Sequence, residues 1–330
     1  MKANQNTLKR IALLTSGGDA PGMNAAIRAI VRTAVYSQLK VTGILNGYSG
    51  LLNGDFMDME SRSVAKIIWR GGTLLKSSRR PEFREHQARK QAFENMKKEG
   101  IDALIVNGGD GSFRGAHLLE KEFGLPVIGI PCTIDNDIYG TDFTIGFDTA
   151  INTVVSAVDK IRDTADSHNI IFFVEVMGRH SGFIGLNTSI ASGAEATLIP
   201  ETPTNIDRLC NYMEQERRKE KTSGIIIVSE GDEAGGAAEI AQKVKKRLPD
   251  YETRVTTLGH IQRGGAPTCN DRVLASILGY EAVQALLNGE SGIMVGQVCR
   301  KIKITPLEEA YTKRDKIDDS WLKISEILSM

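Results

Sequence analysis

Short apolar runs rich in β-branched residues recur along the chain and alternate with helical patterns. The predicted strands are Ile11–Leu14, Val41–Leu45, Ala103–Val106, Val127–Ile130, Ile170–Val176, Ala196–Ile199 and Ile225–Val228. The predicted helices between them are Asn24–Ser37, Arg84–Lys98, Thr149–Thr164, Ile206–Glu220 and Ala237–Leu248. Continuous apolar strands that alternate with helices are typical of parallel sheets with helices on both faces. The sequence therefore predicts a doubly wound α/β architecture.

The composition is that of a globular chain whose charges balance. Of 330 residues, 41% are hydrophobic and 25% are charged, and 41 lysines and arginines offset 41 aspartates and glutamates. A net charge of zero gives no support to nucleic acid or an anionic membrane as a partner. No apolar run has the length that spans a bilayer, and none follows the basic residues of the N-terminus, so we expect neither a membrane span nor a signal peptide.

Cysteine spacing indicates the compartment. The four cysteines, Cys132, Cys210, Cys269 and Cys299, form no C-x-x-C pair. Their spacing is typical of neither a zinc site nor a disulfide framework. A reducing compartment is the simplest one for such a chain, so we expect a cytoplasmic protein.

Three loops follow predicted strands and carry unusual sequences. Residues 15–24 read TSGGDAPGMN, residues 107–115 read NGGDGSFRG, and residues 131–142 read PCTIDNDIYGTD. Ligands of open α/β sheets bind at the carboxyl ends of the strands, where backbone N–H groups favour anions. Neither glycine loop is a Walker A motif or a G-x-G-x-x-G motif. One glycine loop alone is equally typical of a tight turn, but two of them beside an acidic loop favour a phosphate site.

The acidic residues in these loops are typical of metal and proton chemistry. Asp110 is surrounded by glycines, and Mg²⁺ in proteins is commonly held by one or two carboxylates and by phosphate oxygens. Asp135 and Asp137 lie two residues apart, so in an extended segment they point to the same side. One could act as a base on a hydroxyl group and the other on the metal. The alternative is an Asx-rich turn without chemistry.

Arginines next to glycines add positive charge in several later segments. Arg79 and Arg80 follow a pair of serines, Arg179 follows Gly178, and Arg263 precedes two glycines. Guanidinium groups bind phosphate oxygens in a bidentate manner. Together with the loops, these residues favour an enzyme that transfers a phosphoryl group, a reaction that depends on positioning and on charge stabilisation.

At these segments the sequence closely resembles the ATP-dependent 6-phosphofructokinase family of bacterial type. The resemblance is carried by TSGGDAPGMNAAIR, GGDGS, TIDND, TIGFDTA, EVMGR and LGHIQRGG, which are spread over residues 15–265. It implies two doubly wound, mostly parallel α/β sandwich domains with discontinuous chain. The implied ATP-binding domain comprises residues 1–146 and 259–309, and the implied sugar-phosphate domain comprises residues 147–258 and 310–330.

The resemblance also implies an activity and an assembly. The expected reaction is phosphorylation of D-fructose 6-phosphate at its C1 hydroxyl by MgATP, giving fructose 1,6-bisphosphate and ADP, the committed step of glycolysis. The expected assembly is a homotetramer with sites at subunit interfaces. ADP and phosphoenolpyruvate are the possible allosteric effectors.

The site residues implied by the resemblance fall into four groups. ATP is expected at Gly18, Tyr48, Arg79, Arg80, Gly109, Asp110, Gly111 and Ser112, with Asp110 as the Mg²⁺ ligand. The expected catalytic residues are Asp135 as base, Thr133, Asp137 and Arg179. The sugar phosphate is expected at Thr133, Asp135, Met177, Gly178, Arg179, Glu230, Arg254, His260 and Arg263, with Arg254 supplied by a neighbouring subunit. The effector is expected at Arg28, Arg32, Arg162, Gly193, Glu195 and Lys221.

Three positions depart from the family pattern and keep alternatives open. Ile170 stands where the family has an arginine that reaches the 6-phosphate across the subunit interface, which permits a catalytically weak regulatory paralogue. Cys132 replaces a glycine, whereas pyrophosphate-using relatives have lysine there and aspartate at the position of Gly111. Ser61, followed by Arg62, replaces an effector-site arginine. A kinase of the GGDG type acting on NAD or a lipid is a further alternative, although TIDND and GHIQRGG have no reason to occur in it.

Overall fold

The computed structural model describes residues 8–78, 80–218 and 222–329, and these form two units. The first unit contains the described residues up to Thr133, then Asp137–Thr149 and Arg263–Asp315. The second contains Ile134–Asn136, Ala150–Gln262 and the described residues from Lys316 onward. Each unit is therefore built from separate stretches of chain. Which ligand each unit binds stays a prediction.

The described residues form eleven strands and eleven α-helices. The strands are β1 Arg10–Thr15, β2 Lys40–Ile44, β3 Phe56–Met59, β4 Ala103–Gly108, β5 Val127–Pro131, β6 Ile171–Val176, β7 Ala196–Leu198, β8 Gly224–Ser229, β9 Thr253–Thr257, β10 Ile293–Val298 and β11 Lys301–Pro306. The helices are α1 Met23–Tyr36, α2 Gly47–Asn53, α3 His86–Lys98, α4 Asp110–Phe123, α5 Phe147–His168, α6 Phe183–Ser192, α7 Ile206–Arg218, α8 Ala237–Arg247, α9 Cys269–Leu287, α10 Leu307–Thr312 and α11 Asp319–Leu328. None of these helices combines the length and the apolarity that a bilayer crossing requires.

The first unit is built on a seven-stranded sheet with the order β11-β10-β5-β4-β1-β2-β3. Its interior strands pair in parallel, whereas β3 and β11 at the two edges pair antiparallel with their neighbours. Ile11–Leu14 in β1 are fully buried, as expected for a strand between two layers of helices. The register places Thr15 opposite Asn107 and Gly108 opposite Pro131, so β1, β4 and β5 end side by side.

The second unit is built on a four-stranded, fully parallel sheet with the order β7-β8-β6-β9. Phe173 in β6 and Ile226 in β8 pack with Met213 of α7 and Ile240 of α8 in one apolar core. The register pairs Val176 with Ser229, which brings the ends of β6 and β8 together. The two sheets confirm the predicted α/β class.

The strands that the sequence pattern did not predict are β3, β9, β10 and β11. Of these, β3, β9 and β11 lie at the edge of a sheet, where one side of the strand has no neighbour to be buried against. β11 reads KIKITP and leaves five of its six residues exposed. Without a continuous buried apolar run, such strands give only a weak signal in the sequence.

A buried carboxylate fixes the start of α5 within the first unit. Asp271 is 1% exposed and accepts hydrogen bonds from the backbone N–H groups of Gly146 and Thr149, each at 2.8 Å, and from the Thr149 hydroxyl at 2.5 Å. The first N–H groups of a helix have no partner inside the helix, so a carboxylate there stabilises its N-terminus. Burial raises the pKa of Asp271 to about 6, although the three donors favour its charged form.

Replacing this carboxylate should destabilise the fold. In Asp271→Asn, the amide nitrogen cannot accept a hydrogen bond, so at least one buried donor loses its partner. We expect the free energy of unfolding to fall by about 1–3 kcal/mol, measured by urea denaturation. Asp163→Asn, an exposed residue of α5, is the matched control and should leave the transition unchanged. Equal stability of the two variants would contradict the role given to Asp271.

Candidate active site

The three loops predicted to bind phosphate meet at the shared edge of β1, β4 and β5. The backbone N–H of Ser16 donates to the carbonyl of Asn107 at 3.0 Å, and that of Cys132 donates to the carbonyl of Gly108 at 3.0 Å. These contacts follow from the parallel pairing, because all three strands end at the same edge of the sheet. The first unit therefore brings the two glycine loops and the start of the acidic loop together.

Asp110 is the first residue of α4 and follows Gly109 at the helix N-cap. One of its carboxylate oxygens accepts a hydrogen bond from the N–H of Gly111 at 2.7 Å. A Cβ atom added to Gly111 would meet no atom within 4 Å, so the space beside Asp110 is open. An open helix N-terminus with exposed N–H groups is a favourable place for an anion.

The donors around Asp110 fit a magnesium ion that arrives with a polyphosphate. Among the described residues, no group of three or more histidine, cysteine or acidic side chains could hold a metal ion. A single carboxylate is enough for Mg²⁺ when phosphate oxygens and water complete its octahedron. The geometry therefore fits a metal that is shared with a substrate rather than a metal held by the protein alone.

One arginine contacts two of the predicted acidic site residues. Arg314, which follows α10, donates through Nη1 to Asp137 Oδ2 at 2.5 Å and lies with Nη2 3.3 Å from Asp110 Oδ2. All three residues belong to the first unit. The sequence motifs gave no signal for Arg314, because 204 residues separate it from Asp110.

The predicted ATP residues differ in exposure. Tyr48 is buried, its ring stacks on Phe83 with centroids 4.1 Å apart, and its hydroxyl donates to the carbonyl of Ser112 at 2.5 Å. Burial raises the pKa of Tyr48 far above its ordinary value, so its hydroxyl stays a donor. Tyr48 thus fixes the first turn of α4 from the core side. Arg80 is exposed, and Arg79 lies outside the described residues.

Arg263 lies against the first glycine loop. Its Nη1 donates to the carbonyl of Asp19 at 3.3 Å, and a Cβ atom added to Gly18 would come within 2.6 Å of the same nitrogen. The absence of a side chain at Gly18 is what lets the guanidinium reach this loop. The sequence assigned Arg263 to the 6-phosphate pocket, and this single chain places it, within the first unit, beside a residue predicted to bind ATP.

Asp135, the predicted base, lies in the second unit and is 2% exposed. Its backbone carbonyl accepts a hydrogen bond from the Ser181 hydroxyl at 3.0 Å. Ser181 in turn donates its N–H to the carbonyl of Gly178 at 2.9 Å. Ser181 therefore joins the Asp135 segment to the Met177–Gly178–Arg179 turn, a connection that the sequence analysis did not identify.

The turn after β6 depends on a glycine. Gly178 has φ = +141°, and an added Cβ atom would lie 2.3 Å from the carbonyl oxygen of Ser181. Arg179 follows in the left-handed region with φ = 55°, and its N–H donates to Glu230 Oε1 at 2.9 Å. The turn thus brings Arg179 and Glu230, the residue after β8, into contact. Buried Gln262 supports it by accepting the N–H of Met177 at 3.2 Å.

Of the other predicted sugar-phosphate ligands, Arg254 and His260 lie on the surface of the single chain. Arg254 is exposed on the edge strand β9 and pairs with Glu252 at 2.5 Å. His260 is exposed in the short 3₁₀ turn that spans Gly259–Arg263. Thr133, whose N–H donates to the carbonyl of Ile145 at 3.1 Å, is half-buried in the first unit.

The predicted effector residues form one group in each unit. In the second unit, Arg162 contacts Glu195 at 3.4 Å and donates to the carbonyls of Ser192 and Gly193 at 2.8 and 3.1 Å. In the first unit, Arg28 and Arg32 lie one turn apart on α1. Burial, with the nearby charge of Arg32, lowers the pKa of Arg28. Lys221 lies outside the described residues.

The three departures from the family pattern have different surroundings. Cys132 is 1% exposed, and burial raises the pKa of its thiol well above the ordinary value. Ile170 is 8% exposed in the single chain, immediately before β6. Ser61 and Arg62 are both exposed.

The first unit has glycine-rich strand ends around Asp110, and the second has buried Asp135 beside the turn that bears Arg179. These features are typical of a class of α/β proteins that bind phosphate groups. Comparison with known proteins narrows this class. A family model described as Phosphofructokinase matches residues 10–286, and the chain belongs to this family.

Named relatives cover nearly the whole chain. It is 53% identical over 310 residues to ATP-dependent 6-phosphofructokinase 2 of Bacteroides thetaiotaomicron, and this match covers 94% of this chain and 95% of that protein. It is 50% identical over 323 residues to ATP-dependent 6-phosphofructokinase 1 of Thermus thermophilus, with 98% and 100% covered. Among solved structures, phosphofructokinase from Saccharomyces cerevisiae is similar with a TM-score of 0.88 and 36% identity. That match covers 97% of this chain, which spans about half (48%) of the yeast chain.

Thiol reactivity tests the placement of Cys132. The thiolate is the reactive form of cysteine, and burial with a raised pKa suppresses it at Cys132 and at buried Cys210. We expect two fast-reacting thiols per native chain with a disulfide reagent at about pH 8, and four after denaturation. Replacing exposed Cys269 and Cys299 with serine should remove the fast reaction. A persistent fast thiol in that double variant would contradict the burial of Cys132 and Cys210.

Proposed function

We propose that this protein phosphorylates D-fructose 6-phosphate at its C1 hydroxyl with MgATP, giving fructose 1,6-bisphosphate and ADP. The observation that carries the proposal is the position of Asp135. This carboxylate is almost completely buried, and Ser181 ties its backbone to the turn that bears Arg179. The names of relatives about 50% identical over the whole chain support the same substrates.

The chemical step needs one base and several cations. Asp135 removes the proton from the C1 hydroxyl, and the oxygen then forms a bond to the γ-phosphorus of ATP. The bond between that phosphorus and the bridging oxygen of the β-phosphate breaks, and ADP leaves. Arg179 supplies positive charge near the transferring group. Such a reaction is accelerated mainly by alignment and by electrostatic stabilisation.

The first unit supplies the nucleotide site in this proposal. Asp110 holds Mg²⁺, which neutralises charge on the phosphates when it is bound. Backbone N–H groups of Gly109–Ser112 at the start of α4 bind phosphate oxygens. Gly18, Tyr48 and the arginines Arg79 and Arg80 complete the site, Tyr48 by fixing Ser112 from the core. Thr133 and Asp137 belong to the same unit, where Asp137 is held by Arg314.

The second unit supplies the sugar site. Met177, Gly178, Arg179 and Glu230 bind the hexose, and the contact between Arg179 and Glu230 supports this grouping. Arg254 and His260 bind the 6-phosphate together with Arg263, which belongs to the first unit. Arg254 comes from a neighbouring subunit of a homotetramer, a proposal supported by its exposure on an edge strand.

Regulation and location complete the proposal. ADP or phosphoenolpyruvate binds at Arg28, Arg32, Arg162, Gly193, Glu195 and Lys221. The contact of Arg162 with Glu195 supports part of this site. Glu195 also accepts the backbone N–H of Ile225, so this carboxylate has a structural role as well. The enzyme works in the cytoplasm, and its four free cysteines are consistent with a reducing compartment.

The direct test is a coupled assay of fructose 1,6-bisphosphate formation with ATP, Mg²⁺ and fructose 6-phosphate. We expect turnover of about 1–100 s⁻¹, as is usual for kinases. Replacing ATP with pyrophosphate in the same assay should abolish product formation. Turnover far below 1 s⁻¹ with ATP would instead favour the regulatory paralogue, for which Ile170 is the supporting observation.

Removing the proposed base should act on chemistry and spare nucleotide binding. In Asp135→Asn, the amide cannot take the proton, so kcat should fall by about 10²–10⁴-fold. The dissociation constant of a non-hydrolysable ATP analogue, measured by calorimetry, should stay within about twofold. Asp142→Asn removes a carboxylate from the same loop, where it accepts the N–H of Cys299, and should keep kcat. A kcat that barely changes in Asp135→Asn would show that the base is another group.

The open space at Gly111 makes the proposed position of the ATP phosphates testable. In Gly111→Asp, a second carboxylate enters the space beside Asp110 and repels the phosphates of ATP. We expect the dissociation constant of MgATP to rise about tenfold, which corresponds to about 1.4 kcal/mol. Gly111→Ala is the matched control and should bind MgATP normally, since its Cβ atom meets no neighbour. Unchanged ATP binding in Gly111→Asp would place the phosphates elsewhere.

A further inference from the structure

Arg314 forms an unequal fork between two carboxylates of the first unit. Nη1 lies 2.5 Å from Asp137 Oδ2 and 3.3 Å from the Asp137 carbonyl, so this end of the guanidinium has two acceptors on one residue. Among the residues that the structure describes, Nη2 contacts Asp110 Oδ2, at 3.3 Å, and no other acceptor. The Asp137 side chain is 12% exposed, whereas that of Asp110 is 36% exposed. The contact of Arg314 with Asp137 is therefore stronger than its contact with Asp110.

The same contacts occupy both oxygens of Asp110. Oδ1 accepts the N–H of Gly111 at 2.7 Å, and Oδ2 faces the guanidinium. A divalent cation that binds Asp110 Oδ2 competes with the guanidinium for this oxygen, because the two positive charges repel each other at so short a separation. An exposed ion pair at 3.3 Å is worth little, so the replacement is energetically small.

We propose that Arg314 is a positioning residue that binds Asp137 through one nitrogen and pairs with Asp110 through the other. A divalent cation that binds Asp110 then displaces Arg314 from this carboxylate. This proposal rests on the proposed function, in which Asp110 is the ligand of Mg²⁺. Arg314 offsets one of the two negative charges while the metal is away, and free Mg²⁺ consequently binds more weakly. The metal succeeds when it arrives with a polyphosphate, since phosphate oxygens add ligands for the metal and new acceptors for the guanidinium.

The test measures metal binding by the nucleotide-free protein, with Mn²⁺ as a paramagnetic probe detected by electron paramagnetic resonance. In Arg314→Met, the long apolar side chain keeps volume but removes the competing charge. We expect Mn²⁺ to bind about fivefold more tightly than to the wild type, in the range of one exposed ion pair. Arg314→Lys retains one charge without the fork and should recover most of the wild-type affinity.

A second substitution shows that the gain occurs at the proposed carboxylate. In the double variant Arg314→Met/Asp110→Asn, the gain in Mn²⁺ affinity should disappear. A change of less than about twofold in Arg314→Met, or a gain that persists without Asp110, would overturn the proposal. Far-UV circular dichroism checks folding of each variant, and Arg314→Gln replaces Arg314→Met under the same criteria if the latter does not fold.

The proposal and the proposed function fail in different ways. Absence of product from wild-type protein with MgATP and fructose 6-phosphate would refute the function, whatever Mn²⁺ does. Equal Mn²⁺ affinity of the wild type and Arg314→Met, with normal turnover of the wild type, would refute only the role of Arg314.

Discussion

The register of the parallel strands is the constraint on which the candidate site depends. Hydrogen bonds that place Thr15 opposite Asn107 and Gly108 opposite Pro131 make three strands end at one edge of the first sheet. Each loop then starts within hydrogen-bond distance of its neighbour. A shift by one residue would turn every buried side chain of a strand toward the opposite face, so the apolar core fixes this register. The positions of the loops that are predicted to bind phosphate therefore follow from the packing of the sheet.

In the second unit, too, the register of parallel strands brings residues of the candidate site together. There the ends of β6 and β8 lie side by side. Arg179, in the turn after β6, donates its backbone N–H to Glu230, the residue after β8. Ser181 then fixes the Asp135 segment, which is a separate stretch of chain, to this turn. The hydrogen bond from Ser181 is accepted by the backbone carbonyl of Asp135, so it positions this segment of chain through the backbone.

Arg314 offsets part of the acidic charge at the candidate site of the first unit before any ligand arrives. Asp110 and Asp137 would repel each other if both stood alone at one edge of a sheet, and Arg314 contacts both. A protein that must accept a strongly charged nucleotide benefits from a cation that can exchange partners, because a guanidinium binds carboxylates and phosphates with the same geometry.

The sequence by itself determined the α/β class, the buried strands and the loops that carry glycine and aspartate, because continuous apolar runs and glycine-rich strand ends are local signals. It did not determine three of the four edge strands, among them β11, whose exposed side chains follow no apolar period. Only the tertiary structure decided the partnership of Arg314 with Asp110, the position of Arg263 against Gly18, and the link from Ser181 to Asp135. These contacts join residues far apart in the chain, and a single sequence carries no signal for them, since their geometry arises from sheet register and helix packing.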